Sequence, residues 1–420
     1  MVATMSVAPT AVPARRTTGE GRGLRVLVGV HDGTLSGVNT YVEQVAAAAA
    51  TAVDDVTLLV ADDELAADLG GRLQGIRVVS LGMGPITTAQ RRRERLSPGY
   101  AARRLDTALA AARPRIGHGF DAAHLNHPHL AATVRPLAER VYVAAWYHPH
   151  SVLGRATGTW RQSGGSFPRR AGLAVKGVLH YRNDVRGYRA ADIVVTPTKI
   201  LAEQLRRRGF DAVQCTPPAR VLGEPRDDGA KRRGPGDPPR LLLCCGDLGH
   251  PRKNVRLALD AVAILSGEGR AVELELVGGN VGAIQDRLDH LSGAVAVTVR
   301  GRLPAVEVHR RMRAADALLF PSLFEEWGYV AAEAALQGTP VVTLPVYPFT
   351  EMLEQPYGFR ASGLGAGAYA GAIADALRSG ALRSTVAEAA EGRFGLRGAG
   401  RRLAAIWAVD GPAGGRDRPG

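Results

Sequence analysis

Short apolar runs and longer stretches of helical spacing take turns along this chain. In the first half, Leu24–Val30, Val56–Val60, Ile76–Ser80, Ala122–Leu125, Val141–Trp146 and Ile193–Thr196 are compact runs of β-branched and other apolar residues. Their length and their polar or glycine-containing boundaries predict strands. Between them lie helical stretches such as the one from Val38 through the alanine run Ala46–Ala50. The pattern restarts at Arg240–Cys245 and continues through Glu273–Val277, Val295–Arg300, Ala317–Phe320 and Val341–Leu344, with a helix after Asn254 running to Leu265. Strand and helix in alternation predict parallel sheets covered on both faces. Pro217–Pro239 holds six prolines among glycines and charges and predicts a linker. The expected organisation is therefore a domain at 23–216, a linker at 217–239 and a domain at 240–392. Residues 1–22 lack a continuous apolar segment and predict a disordered leader, not a signal peptide. Residues 410–420 predict a disordered tail.

Asp316–Leu344 carries the candidate chemistry. Ala317–Phe320 predicts a buried strand, Pro321–Ser322 a turn, and the run from about Trp327 a helix ended by Gly338–Thr339–Pro340. Glu325 and Glu333 are eight residues apart. At about 3.6 residues per turn, a helix through both would place them two turns apart and within a quarter-turn in direction. A helix start also offers free N–H groups and a positive dipole end, which suit a diphosphate. Two carboxylates beside such a cradle can accept hydrogen bonds from sugar hydroxyls, so the stretch fits a sugar nucleotide.

This E-x7-E spacing, preceded by Phe320-Pro321-Ser322 and followed by Gly338-Thr339-Pro340-Val341-Val342, resembles the signature of family 4 (group 1) retaining glycosyltransferases of the GT-B fold. The resemblance implies two doubly wound Rossmann-like domains facing a central cleft. The N-terminal domain would bind the acceptor, the C-terminal domain a nucleotide-diphosphate sugar, UDP- or GDP-linked, as co-substrate with no cofactor. In that family the first Glu contacts the donor sugar and the second the ribose hydroxyls, which implies those roles for Glu325 and Glu333. The segment from Gly246 to Asn254 resembles the family's glycine loop, where an Arg and a Lys hold the diphosphate. Lys253 matches the Lys, whereas Asp247 stands where the Arg is usual, leaving Arg252 as the substitute. The loop from His31 to Gly37 resembles the family's first glycine loop. The implied donor-binding set is thus Gly37, Arg252, Lys253, Leu303, Glu325, Trp327, Gly328 and Glu333. The implied residues beside the reacting sugar are His148 and Glu325. Residues 393–409 resemble the last helix of GT-B proteins, which crosses back to the N-terminal domain.

Composition narrows the alternatives. Hydrophobic residues make up 45% of the chain, ample for two cores, and no apolar run approaches the roughly 20 residues of a membrane span. The three cysteines, Cys215 and the adjacent Cys244 and Cys245, form neither a metal spacing nor a disulfide framework and suit a reducing cytoplasm. Net charge is +13, and four of the 53 basic residues are lysines. No nucleic-acid motif accompanies this charge and aromatics are 5%, so no nucleic-acid partner is expected, while weak association with an anionic membrane surface is compatible. Histidines gather at the ends of two predicted strands (His124, His127, His129; His148, His150) and could face a ligand crevice. No cysteine or tight carboxylate set joins them, and Asp-x-Asp occurs nowhere, so no metal site is predicted. Residues 151–190 hold eight basic residues against the single acid Asp184 and predict either an acceptor pocket or lid, or a basic surface helix pair. The acceptor is a small molecule, a glycan or a lipid-linked group. Two rivals stay open: a sugar-nucleotide epimerase on a similar scaffold, and a non-catalytic basic binding protein.

Overall fold

The computed structural model describes residues 23–32, 37–84, 87, 90, 100–146, 166–222, 236–291, 293, 295–380 and 382–408. The expected leader and tail, the loop at 33–36, His148, His150 and most of the linker lie outside the described residues.

Seven strands, β1 (Arg25–His31), β2 (Asp55–Val60), β3 (Arg77–Ser80), β4 (Phe120–Leu125), β5 (Ala138–Ala144), β6 (Ile193–Thr196) and β7 (Ala212–Gln214), form one sheet in the order β3-β2-β1-β4-β5-β6-β7. Six more, β8 (Arg240–Asp247), β9 (Val272–Gly279), β10 (Val295–Val299), β11 (Ala317–Phe320), β12 (Val341–Thr343) and β13 (Gly358–Arg360), form a second in the order β10-β9-β8-β11-β12-β13. Every pairing in both sheets is parallel. These are the two doubly wound domains that the strand–helix alternation predicts. The sequence pattern misses β7 and β13. Each is a three-residue edge strand, too short to show a period.

Strand order reverses once in each sheet, between β1 and β4 and between β8 and β11. There the following helices leave toward opposite faces, and a crevice opens beyond the strand ends. Both strands on the N-terminal side of a switch are irregular near their ends: register shifts between Val28 and Val30 in β1, and between Cys244 and Asp247 in β8. In the first sheet the Asn126 side-chain amide patches the opening. Its Oδ1 accepts from the Val30 amide at 3.0 Å and its Nδ2 donates to the Val30 carbonyl at 2.8 Å.

The last helix, Leu396–Trp407, packs on the Gly37–Ala49 helix of the first domain. The approach is close enough that a Cβ on Gly400 would meet the Ala48 carbonyl oxygen at 2.2 Å. Leu403 and Trp407 are buried there, a contact worth roughly 1.5–3 kcal/mol per large apolar side chain. The Tyr142 hydroxyl donates to the Ile406 carbonyl at 3.1 Å. The helix thus returns to the N-terminal domain, beginning after Gly395 instead of at Arg393. A second tie joins the domains: the Glu351 carboxylate accepts from the Lys199 and Ile200 amides at 2.7 and 3.0 Å. It thereby caps the Lys199–Arg206 helix of the other domain, where a negative charge suits the dipole. What is described of the linker is a fixed strap. The Ala219 amide donates to the Phe394 carbonyl, Arg220 pairs with Glu43, and the Leu222 amide donates to His309. No described helix is long and apolar enough to cross a membrane.

Candidate functional site

The switch point of the second sheet collects most of the charged candidates. The turn after β8 carries Pro251–Lys253 as a single 3-10 turn, and the turn after β11 carries Pro321–Gly328. Backbone stitches the two together, with the Leu323 amide donating to the Arg252 carbonyl at 2.9 Å. Side chains complete the joint. Lys253 Nζ lies 2.5 Å from Glu325 Oε1, and Arg252 Nη1 lies 3.1 Å from Glu325 Oε2. One carboxylate therefore holds both cations, and its own side chain is 9% exposed against 20% and 26% for theirs. Two positive groups and one negative give these three side chains together a formal charge of +1. A pair this desolvated is tightly placed, since removing either partner leaves a buried charge uncompensated. Lys253 also rests over the Phe320 ring, 5.7 Å from its centroid.

Asp247, which stands where an arginine is expected, has a structural task. Its Oδ1 accepts from the Gly249 amide and from Asn280 Nδ2, both at 2.9 Å, and so shapes the loop that presents Arg252 and Lys253.

The helix that follows differs from the sequence expectation. It spans Tyr329–Leu336 and does not start at Trp327, because Gly328 has φ of 100°. That left-handed conformation cannot propagate a right-handed helix and is open to glycine at little cost. Glu325 consequently lies outside the helix, and helical periodicity does not relate it to Glu333. The ring of Trp327 is buried edge-to-face on Phe394, 6.1 Å between centroids. Its Nε1 is buried and has no hydrogen-bond partner within the protein.

Glu333, inside the helix, is 15% exposed and stands 3.4 Å from His309 Nε2. Leu303 is half-buried just before the Ala305–Ala314 helix that carries His309. Gly37 is exposed at the first residue of its helix, with open space where a Cβ would be; the residues before it, 33–36, are outside the description. His148 and His150 also lie outside the described residues.

The remaining histidines separate. His124 does not face a crevice. It is buried between Tyr41, whose hydroxyl is 2.6 Å from Nε2, and Trp407, whose Nε1 is 3.3 Å from Nδ1. Burial depresses its pKa to about 3, so the ring is neutral. His127 is also held below its ordinary value by burial. Burial pushes the Cys244 and Cys245 thiols up to about 12 and about 11, which makes them poor nucleophiles. Among the described residues no group of three or more His, Cys, Asp or Glu could hold a metal ion.

Sequence reasoning missed three contributors. His309 bridges Glu333 to the linker, and no local motif marks it. Tyr347 and Glu351 tie the domains, and Tyr347 stacks on Phe324 of the Glu325 turn, 6.2 Å between centroids.

Comparison with known proteins agrees with the two-domain fold. A family model described as "Glycosyl transferases group 1" matches residues 239–379, and one described as "Glycosyl transferase 4-like domain" matches residues 36–218. No curated protein matches the chain in sequence. Among solved structures, a sucrose-phosphate synthase from Thermosynechococcus elongatus superposes with a TM-score of 0.64 at 19% identity, covering 92% of this chain and 98% of that one. A glycosyltransferase from Rickettsia africae gives 0.59 at 12% identity, with 91% and 98% covered. WaaG, a glycosyltransferase involved in lipopolysaccharide biosynthesis, gives 0.54 at 17% identity, with 92% and 100% covered. At these identities the structural likenesses establish the shared fold.

Proposed function

The chain belongs to the group 1 glycosyl transferases and has the GT-B fold, and we propose that it moves a hexosyl group from a UDP- or GDP-linked sugar to an acceptor hydroxyl. In this reading the transfer retains the anomeric configuration and uses no divalent metal. The observation that carries it is the joint at the β8/β11 switch point, where Lys253 and Arg252 are held by Glu325 next to the start of the Tyr329–Leu336 helix. Ligands of open parallel sheets bind beyond such strand ends, and these cations can meet charge that grows on a departing diphosphate. Fixed charges of this kind need no reorganisation during reaction and stabilise the transition state more than the ground state.

Glu325 has two parts in this scheme. It orients both cations, and a carboxylate oxygen beside the donor can accept from a sugar hydroxyl. Glu333 accepts from the ribose hydroxyls. The acceptor enters from the N-terminal domain, with His148 beside the reacting sugar.

A thermal-shift panel of UDP- and GDP-sugars tests the donor assignment, because a ligand bound only by the folded chain raises apparent stability. At least one should raise the midpoint, and none doing so would overturn it. Initial rates with excess chelator at fixed ionic strength test the metal. Activity lost and restored by magnesium or manganese would show that the cations do not suffice.

A further inference from the structure

We propose that His309 is a positioning residue for donor recognition, holding Glu333 in place through a tautomer that the interdomain linker dictates. His309 sits on the Ala305–Ala314 helix and is 3% exposed. The Leu222 amide donates to its Nδ1 at 2.7 Å. A backbone N–H can only donate, so Nδ1 is the acceptor and carries no proton. In the neutral ring the proton is then on Nε2, which faces Glu333 Oε2 at 3.4 Å. Linker amide, imidazole and carboxylate are aligned in one direction: the amide donates to Nδ1, and Nε2 presents its proton toward the carboxylate, which can only accept. Hydrogen-bonded partners behind a ligand-binding group fix its orientation in this manner in metal sites and catalytic constellations alike.

Three features make the relay more than packing. Oε2 is the oxygen taken by the ring, which leaves Oε1 of a side chain that still has 15% exposure to turn toward a ligand. The helix bearing Glu333 starts at the switch-point turn that holds Glu325, Arg252 and Lys253. And Leu222 belongs to the strap between the domains, so any rotation that draws the strap away removes the hydrogen bond that sets the tautomer. Donor affinity would thereby depend on how the domains are set, with no contact between Leu222 and the donor.

The proposal rests on the reading of Glu333 as an acceptor of ribose hydroxyls, and the experiment separates the two. In the full-length chain, dissociation constants would be measured for UDP and GDP and, for the tighter binder, its 2′,3′-dideoxy form. His309→Phe should weaken ribonucleotide binding roughly tenfold and leave the dideoxy form unchanged. His309→Gln, whose amide can still donate to Glu333, should recover most of that loss. Leu222→Pro, which removes the linker N–H, should weaken the ribonucleotide alone by a few-fold. If Glu333→Ala discriminates between the two sugars and His309→Phe does not, the relay is refuted and the Glu333 reading stands. If Glu333→Ala does not discriminate either, both fall together.

Discussion

On the N-terminal side of the domain interface, His124 takes the Trp407 indole N–H on Nδ1, which leaves Nε2 to donate to the Tyr41 oxygen. On the C-terminal side, His309 takes the Leu222 amide on Nδ1, and its Nε2 faces Glu333. Both rings are nearly inaccessible, and both have their tautomer fixed from behind. They differ in what the proton points at. His124 ends at a phenol walled in by Trp146, which meets Tyr41 edge-on at 4.5 Å between centroids, and by the last helix, so its hydrogen bonds serve to hold that helix down. His309 ends at a charged oxygen on a side chain that reaches solvent. Burial and a defined tautomer are thus compatible with either role, and the terminal acceptor separates them. The C-terminal domain gathers Arg252, Lys253, Glu325 and Glu333 at its switch point, while the surroundings of His124 in the N-terminal domain are the aromatic rings of Tyr41, Trp146 and Trp407.

The contrast can be broken at its charged end first. Lys253→Ala should lower kcat about 10²–10³-fold with a smaller rise in KM, the size seen when one fixed transition-state donor is lost. Steady-state kinetics with the donor identified by thermal shift would check this, and a change confined to KM would mean that Lys253 only binds. Next in size, Glu333→Ala should weaken nucleoside diphosphate binding about ten- to hundredfold without moving the unfolding midpoint appreciably. His124→Phe should leave that affinity unchanged, and calorimetric titration of both variants checks the pair.

Acid should act through the buried histidines of the N-terminal domain. The pKa of His124 is about 3 in the folded chain against roughly 6.5 when unfolded. Between those values the unfolded state binds the extra proton, so stability present above about pH 6.5 is lost as pH falls toward 3. The loss approaches 1.4 kcal/mol per pH unit, order of magnitude. Burial lowers His31 and His127 as well, which adds to it with the same sign. Urea unfolding at several pH values should show a shallower slope in His124→Phe than in the parent, and equal slopes would remove His124 from the account. Arg252→Ala should have the smallest effect, a several-fold loss in kcat/KM, because Lys253 keeps its shorter contact with Glu325. An effect as large as that of Lys253→Ala would make the two cations equal partners.

Strand and helix alternation and the charged turn after Ala317–Phe320 were both readable along the chain. Each depends on local chemistry: apolar runs must be buried, prolines cannot continue an element, and a Glu, Arg or Lys keeps its charge wherever it falls. Residue order also marked Lys253 and Glu325 as candidates. It could not show that they touch, because β8 and β11 are neighbours only after the sheet reverses, and the two residues are 72 positions apart in the chain. The sequence could not place the helix start either, since the left-handed turn at Gly328 is permitted by glycine and not demanded by it. Nothing in the local sequence separates the roles of His124, at the end of an apolar strand, and His309, followed by Arg310 and Arg311. Only the tertiary structure brings Trp407 to one, from 283 residues away, and Leu222 to the other, from 87. A hydrogen bond has direction and reach of about 3 Å, and long-range partners at that scale exist only once the domains have closed on each other.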